Sequence, residues 1–119
     1  MYVNYSDEYY ETEDGKMPAE EFILSQPNKM QAKLFSMLSH LEEFGPALRE
    51  PYSKSLGDGI FEIRAKVGTD IGRVLYFFVV GRKVILTNGF IKKTQKTPQQ
   101  ELERARRYKK QYESKKENK

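Results

Sequence analysis

The residues of this sequence best suited to chemistry are cationic, and they lie in or beside predicted strands. Arg73 stands immediately before the most apolar run of the chain, where a guanidinium can be held rigidly and offer two parallel hydrogen bonds to a phosphate. Lys92 and Lys93 follow Phe90 at the end of another apolar run, beside a ring able to stack on a nucleic-acid base. The other cations on or beside the predicted sheet include Lys54, Arg64 and Lys96. Their placement predicts one basic surface that binds a phosphate-bearing partner.

Each of these residues also has a purely structural interpretation. Arg73 is placed to pair with a carboxylate such as Glu62, and a pair of adjacent lysines fits a solvated loop nearly as well as a binding site. Tyr76 and Phe90, taken alone, are more typical of a core than of a platform for bases. The residue types by themselves leave both interpretations open.

Composition excludes several other kinds of site. His40 is the only histidine and cysteine is absent, which excludes paired-histidine catalysis, multi-histidine metal sites, thiolate zinc sites and a cysteine nucleophile. The glycines of segment 56–59 precede a predicted strand, whereas phosphate-binding glycine loops precede a helix, so this segment is predicted to be a turn. The early acidic residues lack a calcium-loop pattern. We expect neither a metal nor a cofactor.

The formal net charge of +4 is distributed unevenly along the 119 residues. Residues 1–50 hold four basic against ten acidic side chains, residues 51–91 hold six against three, and residues 92–119 hold eleven against four. Such an asymmetry accompanies binding to polyanions, since releasing phosphate counterions contributes much of nucleic-acid affinity. A solvated basic face on the last helix explains it about as well.

The sequence predicts a cytoplasmic protein without membrane contact. Its longest nearly apolar run, Val74–Val80, is far shorter than the roughly 20 residues of a bilayer span. The acidic N-terminus lacks the apolar segment of a signal peptide.

Hydrophobic periodicity predicts the elements that must position the cations. Apolar residues recur at helical spacing up to the Gly45-Pro46 break, and from Gly59 onward they alternate as in a strand. The run at 73–80 is almost continuously apolar, as in a central strand covered on both faces. The predicted elements are a strand at 2–5 continued at 9–10, helices at 18–25 and 27–44, strands at 61–67, 73–80 and 84–91, and a helix that starts at Pro98.

This order predicts one α+β domain over residues 1–119, a small antiparallel sheet with helices packed on one face. We expect the last two strands to form a hairpin through Gly81-Arg82-Lys83, and the tail after residue 114 to fray.

Four motifs follow one another along the chain. They read K-x-L-x-D-G at 54–59, E-I-R at 62–64, G-R-V-L-Y at 72–76 and G-F-x-K-K-T-Q-K-T-P at 89–98. This series resembles the HigB branch of the RelE/ParE toxin superfamily, the branch described as phage-derived and similar to host-killing proteins. The resemblance covers nearly the whole chain.

The resemblance implies a RelE-like α+β domain that is the toxin of a type II toxin-antitoxin pair. It implies an endoribonuclease that cleaves messenger RNA, commonly on the ribosome, and so inhibits translation and arrests growth. The expected reaction needs no metal: the ribose 2′-hydroxyl attacks the adjacent phosphate and leaves a 2′,3′-cyclic phosphate and a 5′-hydroxyl. The expected partners are messenger RNA and a helix-turn-helix antitoxin, through which any DNA contact would be indirect.

The resemblance also implies roles for the cations. Arg73 is expected to bind the scissile phosphate, and Lys92 and Lys93 to contact phosphate or protonate the leaving oxygen. Arg64 and Lys54 are secondary candidates for positioning RNA. The remaining candidates for RNA binding are Lys96, Phe90 and Asn88.

This sequence departs from its relatives at two positions. Asn88 stands where many carry histidine, and an amide cannot act as an acid or base near neutral pH. Glu62 occupies a strand position where some relatives place a basic residue. A lysine acting as the base would need its pKa lowered by burial or by neighbouring cations. Glu62 and Tyr76 are the other candidates for the general base.

A different class of function remains open beside the nuclease. The ParE side of the superfamily inhibits DNA gyrase by binding, and a non-catalytic basic RNA-binding module would also explain the charge. The Lys92-Lys93 pair beside Arg73 favours RNA chemistry over gyrase binding.

Overall fold

In a computed structural model that describes residues 4–92 and 96–117, with side chains to residue 115, the chain is one α+β domain. Five strands form a single sheet in the order β1-β5-β4-β3-β2, and three α-helices pack on it within the described ranges. The predicted fold class is therefore confirmed. The elements are β1 (Ser6–Tyr9), α1 (Pro18–Leu24), α2 (Asn28–Phe44), β2 (Ser53–Gly57), β3 (Ile60–Val67), β4 (Asp70–Val79), β5 (Lys83–Lys92) and α3 (Gln99–Glu117).

The sheet is mixed, so the prediction of an antiparallel sheet is wrong at one edge. Strands β2 to β5 run antiparallel to their neighbours, whereas β1 pairs parallel to β5, with Ser6 opposite Lys83 and Tyr9 opposite Leu86. This strand lies later in the chain than the predicted strand at 2–5, part of which falls outside the described residues. A parallel neighbour needs a long connection, and here α1 and α2 provide it.

Helices cover both faces of the sheet, which corrects the prediction of packing on one face. Val74 belongs to the core beneath α1 and α2, together with Leu34, whereas the next residue, Leu75, packs against Ala105 of α3. Successive residues of a strand point to opposite faces. Strand β4 is almost continuously apolar because helices cover it on both faces, as the sequence predicted for this strand.

The predicted helices are confirmed with small differences at their ends. Helix α2 buries Met30, Leu34, Met37, Leu38 and Leu41, which follow the helical period, and it ends at Gly45 with a positive φ of 52°. Helix α3 continues through the segment 114–117 that we expected to fray. No helix within the described ranges is both long and apolar enough to cross a membrane.

Two tight turns set the register of the strands around the basic residues. The segment between β2 and β3 has positive φ at Gly57, Asp58 and Gly59, which confirms that these glycines form a turn. The connection between β4 and β5 has positive φ at Gly81 and Arg82, and the two strands pair antiparallel as predicted.

Candidate functional site

The strand register brings side chains of three neighbouring strands, two of them arginines, onto one face of the sheet. Arg64 of β3 lies opposite Arg73 of β4, which in turn lies opposite Phe90 of β5. Directly opposed residues share a face. Leu75 alternates onto the same face and packs on Ala105, so this row of side chains lies on the side that α3 covers.

A buried carboxylate joins the two arginines. Glu62 is fully buried, and its Oε2 accepts hydrogen bonds from Arg73 Nη1 at 3.0 Å and from Arg64 Nε at 2.7 Å. Arg73 is itself 1% exposed. The structural pairing of Arg73 with Glu62 is therefore present, and it fixes both guanidinium groups in place because a buried ion pair lacks the freedom of a solvated one.

Thr97 completes the surroundings of the carboxylate. Its hydroxyl donates to Glu62 Oε1 at 2.5 Å, and its Oγ1 lies 3.5 Å from Arg73 Nη1. Thr97 precedes α3 by two residues, so this contact ties the start of the helix to the sheet. The sequence predicted only the start of a helix here, at Pro98. The available signal was the place of Thr97 in the motif at 89–98, directly after Lys96.

Lys92 lies near this cluster and is electrostatically coupled to it. Partial burial lowers the pKa of its ammonium, and the positive charges of Arg73 and Lys96 lower it further, against an opposing effect of Glu62. The positive charge here therefore exceeds the negative charge, since one buried carboxylate is surrounded by four cations: Arg64, Arg73, Lys92 and Lys96. We call these four cations with Glu62 and Thr97 the basic cluster. Lys93 lies outside the described residues.

The structure does not bring Tyr76 into the basic cluster. Tyr76 is 1% exposed on the opposite face of the sheet, where it stacks on Phe61 and its hydroxyl lies 2.6 Å from that of Ser53. Burial raises the pKa of Tyr76 to about 12. The ring is a core residue whose hydroxyl is held by a neighbour.

Asn88 also has a structural partner. Its side-chain nitrogen donates to the backbone oxygen of Glu101 at 3.2 Å and to Glu101 Oε1 at 2.9 Å, and the residue is fully buried. Asn88 therefore attaches the first turn of α3 to β5, beside the basic cluster.

The last two predicted RNA contacts lie at the margins of the basic cluster. Phe90 is half-buried and packs against the cluster of Ile60, Leu75 and Ala105, so its ring belongs to the interface with α3. Lys54 is exposed on β2, directly opposite Glu62 in the register, where it adds charge at the edge of the sheet.

A cleft opens beside the two arginines, at the edge of β3 beyond the last residue that β2 pairs. Its volume is about 330 Å³, and we call it the arginine cleft. Tyr52 was not singled out from the sequence, yet the residue is 52% exposed and lines this cleft. The lining residues are Lys33, Met37, Pro51, Tyr52, Arg64, Lys66, Ile71 and Arg73.

The family model of phage-derived Gp49-like proteins matches residues 21–110, which include every described member of the basic cluster. The chain belongs to the Gp49-like family. This family is toxin-like, of the RelE/HigB type, which agrees at that level with the resemblance seen in the motifs and suggests an antitoxin partner. A comparison with curated proteins found no match.

Proposed function

We propose that this Gp49-like protein is the toxin of a type II toxin-antitoxin pair and cleaves messenger RNA, in association with the ribosome. The observation that carries the proposal is that one buried carboxylate holds both Arg64 and Arg73, which line the same cleft, with Lys92 nearby on β5. Phosphoryl transfer depends largely on positioning and on neutralising charge at phosphorus, and guanidinium groups held in place supply both.

Arg73 is the proposed anchor of the scissile phosphate. Arg73 lines the arginine cleft, and Glu62 orients its guanidinium, although only 2% of the side chain is exposed. Arg64, with 20% of its side chain exposed, lines the same cleft from the neighbouring strand. Two such cations stabilise the additional negative charge that develops on the phosphate when the 2′-oxygen attacks.

The proton inventory supports different roles for Lys92 and Glu62. The lowered pKa of Lys92 brings an ammonium closer to the range in which it exchanges a proton during a reaction, which fits protonation of the leaving 5′-oxygen. Both oxygens of Glu62 are engaged by donors from Arg64, Arg73 and Thr97, which supports a positioning role rather than that of general base.

A second basic surface on α3 supports contact with a larger RNA. Asp58 of the turn between β2 and β3 holds Arg106 at 2.9 Å, and beside this pair a groove of about 630 Å³ runs along the helix. The cations that line the groove are Arg106, Arg107, Lys109 and Lys110. Their charge suits the phosphate backbone of ribosomal RNA, and an antitoxin that masks either surface would suppress activity.

Cleavage mapping tests the proposed function. Purified protein is incubated with a messenger RNA, with and without translating ribosomes, and the new 5′ ends are mapped. The proposal expects discrete cuts in at least one condition, and loss of these cuts in Arg73→Gln but not in Arg82→Gln, an exposed arginine in the hairpin between β4 and β5. Absence of cuts in both conditions, with Arg73→Gln still toxic in cells, would favour a non-catalytic inhibitor of the gyrase-binding kind.

A further inference from the structure

We propose that the arginine cleft is a nucleobase subsite in which Tyr52 stacks on a base of single-stranded RNA next to the phosphate held by Arg73. The inference rests on the proposed function for the identity of the ligand. It rests on the structure for an exposed aromatic residue that lines the same cleft as Arg64 and Arg73, whose guanidinium groups Glu62 holds.

Backbone hydrogen bonds tie the segment that carries Tyr52 to the strand that carries Arg64. The amide of Arg64 donates to the carbonyl oxygen of Tyr52 at 2.9 Å, so the aromatic residue is attached to the same strand that carries one phosphate ligand. The amides of Tyr52 and Ser53 both donate to the carbonyl of Arg49, at 3.0 and 3.1 Å, which closes the turn that presents the ring. Tyr52 is thus held in place by backbone hydrogen bonds although about half of its surface is exposed.

The chemistry of the cleft matches one nucleotide. Met37, Pro51 and Ile71 provide apolar lining, Arg64 and Arg73 provide phosphate ligands, and the ring supplies a face for stacking. Stacking on an aromatic face tolerates any base, and it requires a base that is not already stacked in a duplex. The cleft volume of about 330 Å³ lies at the small end of ligand sites, which suits one base rather than a helix.

The same ring continues into a second depression along α2. Lys33, Met37 and Tyr52 line both the arginine cleft and this neighbouring groove of about 640 Å³. Phe44, which is 47% exposed, also lines the groove. Two exposed rings in adjoining depressions mark a path by which a single strand leaves the basic cluster over α2.

Binding of a fully 2′-O-methylated RNA tests the subsite without cleavage, because this probe lacks the attacking hydroxyl. A fluorescein-labelled single strand of twelve nucleotides of mixed sequence is titrated with wild type, Tyr52→Leu, Tyr52→Phe and Phe35→Leu. Phe35 is a matched control, since it is an exposed aromatic of α2 that lines neither depression. We expect Tyr52→Leu to weaken binding about 5- to 150-fold, the range for loss of one stacked base, and the other two variants to bind like wild type.

Abasic substitution separates stacking from a merely structural effect. Single abasic sites are moved along the probe, and we expect one position to weaken binding to wild type while leaving binding to Tyr52→Leu unchanged. Equal sensitivity of both proteins at every position would overturn the subsite, as would wild-type affinity of Tyr52→Leu. If Tyr52→Leu has a lowered melting temperature, the comparison between wild type and Tyr52→Phe decides, and loss of binding in Tyr52→Phe at unchanged stability contradicts stacking.

The outcome for the subsite is independent of the outcome for the nuclease. Binding that depends on Tyr52 in a protein that never cuts RNA would leave the subsite standing and remove the enzyme. Cleavage at wild-type rates by Tyr52→Leu, with unchanged affinity, would do the reverse. A duplex of the same sequence is expected to show no difference between wild type and Tyr52→Leu.

Discussion

Arg73 donates a hydrogen bond to Glu62 across 3.0 Å, and both side chains are almost fully excluded from water. Burying two charges costs free energy that their attraction only partly returns, so a pair of this kind is weak evidence for stability. Its value here lies in orientation, since the same carboxylate also holds Arg64. The pair gives the site two guanidinium groups in one arrangement.

The first prediction is that substitutions at Glu62 and Arg73 affect stability and activity differently. We expect Glu62→Ala to lower the free energy of unfolding by about 3–5 kcal/mol, because it leaves the Arg73 charge buried without its carboxylate. We expect the double variant Glu62→Leu with Arg73→Met to be more stable than Glu62→Ala and yet to lack activity. Urea denaturation and RNA cleavage measure the two effects. A double variant that loses as much stability as the sum of its single variants would contradict this account.

The second prediction concerns Thr97 as a positioning residue. Thr97→Val removes the hydroxyl that donates to Glu62 while keeping the shape of the side chain, and Thr97→Ser restores it. We expect Thr97→Val to lower kcat about 10-fold or more with little change in RNA affinity, and Thr97→Ser to recover most of that loss. Equal activity of the two variants would show that the hydroxyl has no part in positioning.

The structure also shows how far the sequence predicts the fold. The regular hydrophobic periods of α2 and β3 were sufficient to predict both elements, because each buries one side against the sheet or the helices. Strand β2 was missed because Ser53–Gly57 is short, largely polar and at an edge, where no alternation is required. The parallel pairing of β1 with β5 joins segments more than 70 residues apart in sequence, and no local pattern carries that information.

At the candidate site the sequence identified residue types better than their partners. It placed Arg73, Lys92 and Glu62 correctly near one another, but the use of Thr97 as a donor depends on where α3 begins. Gly89, which the motif includes beside Phe90, has a packing reason: a Cβ there would overlap the ring of Phe22 in α1. The sequence did not identify Tyr52 as a site residue, because the exposure of its side chain is a property of the folded chain.

The third prediction is a pH profile. If protonated Lys92 donates to the leaving oxygen, activity falls as pH rises through the pKa of that ammonium, and the lowered pKa moves this decline toward neutrality. We expect Lys92→Arg to lose the decline and Lys92→Gln to be slow at every pH. Lys83→Gln, at the other end of the same strand, is expected to keep the wild-type profile. An unchanged decline in Lys92→Arg would assign it to another group.

The fourth prediction concerns stability and lies away from the basic cluster. Burial, followed by the charge of Glu42, raises the pKa of Asp7 to about 7. Between about pH 4 and 7 the folded protein then holds a proton that the unfolded chain releases, so stability declines as pH rises through this window. We expect Asp7→Asn to flatten the decline and to gain on the order of 2 kcal/mol at pH 8, measured by denaturation at several pH values.

Glu8→Gln is the control for this effect, since Glu8 lies next in β1 and its carboxylate is partly exposed in an ion pair with Lys83. A slope in Asp7→Asn equal to that of wild type would show that Asp7 titrates near its usual pKa in the folded protein.

The chemistry of the cut ends tests the central claim most directly. Messenger RNA is incubated with wild-type protein in the condition that gives cuts, with translating ribosomes where cleavage requires them. Its new termini are analysed, and the initial rate is compared with those of Arg73→Gln and Arg82→Gln. The account predicts a 2′,3′-cyclic phosphate and a 5′-hydroxyl, with a rate lower by about 100-fold or more in Arg73→Gln and unchanged in Arg82→Gln. Termini with 5′-phosphate, or an equal rate in Arg73→Gln at unchanged folding, would contradict it.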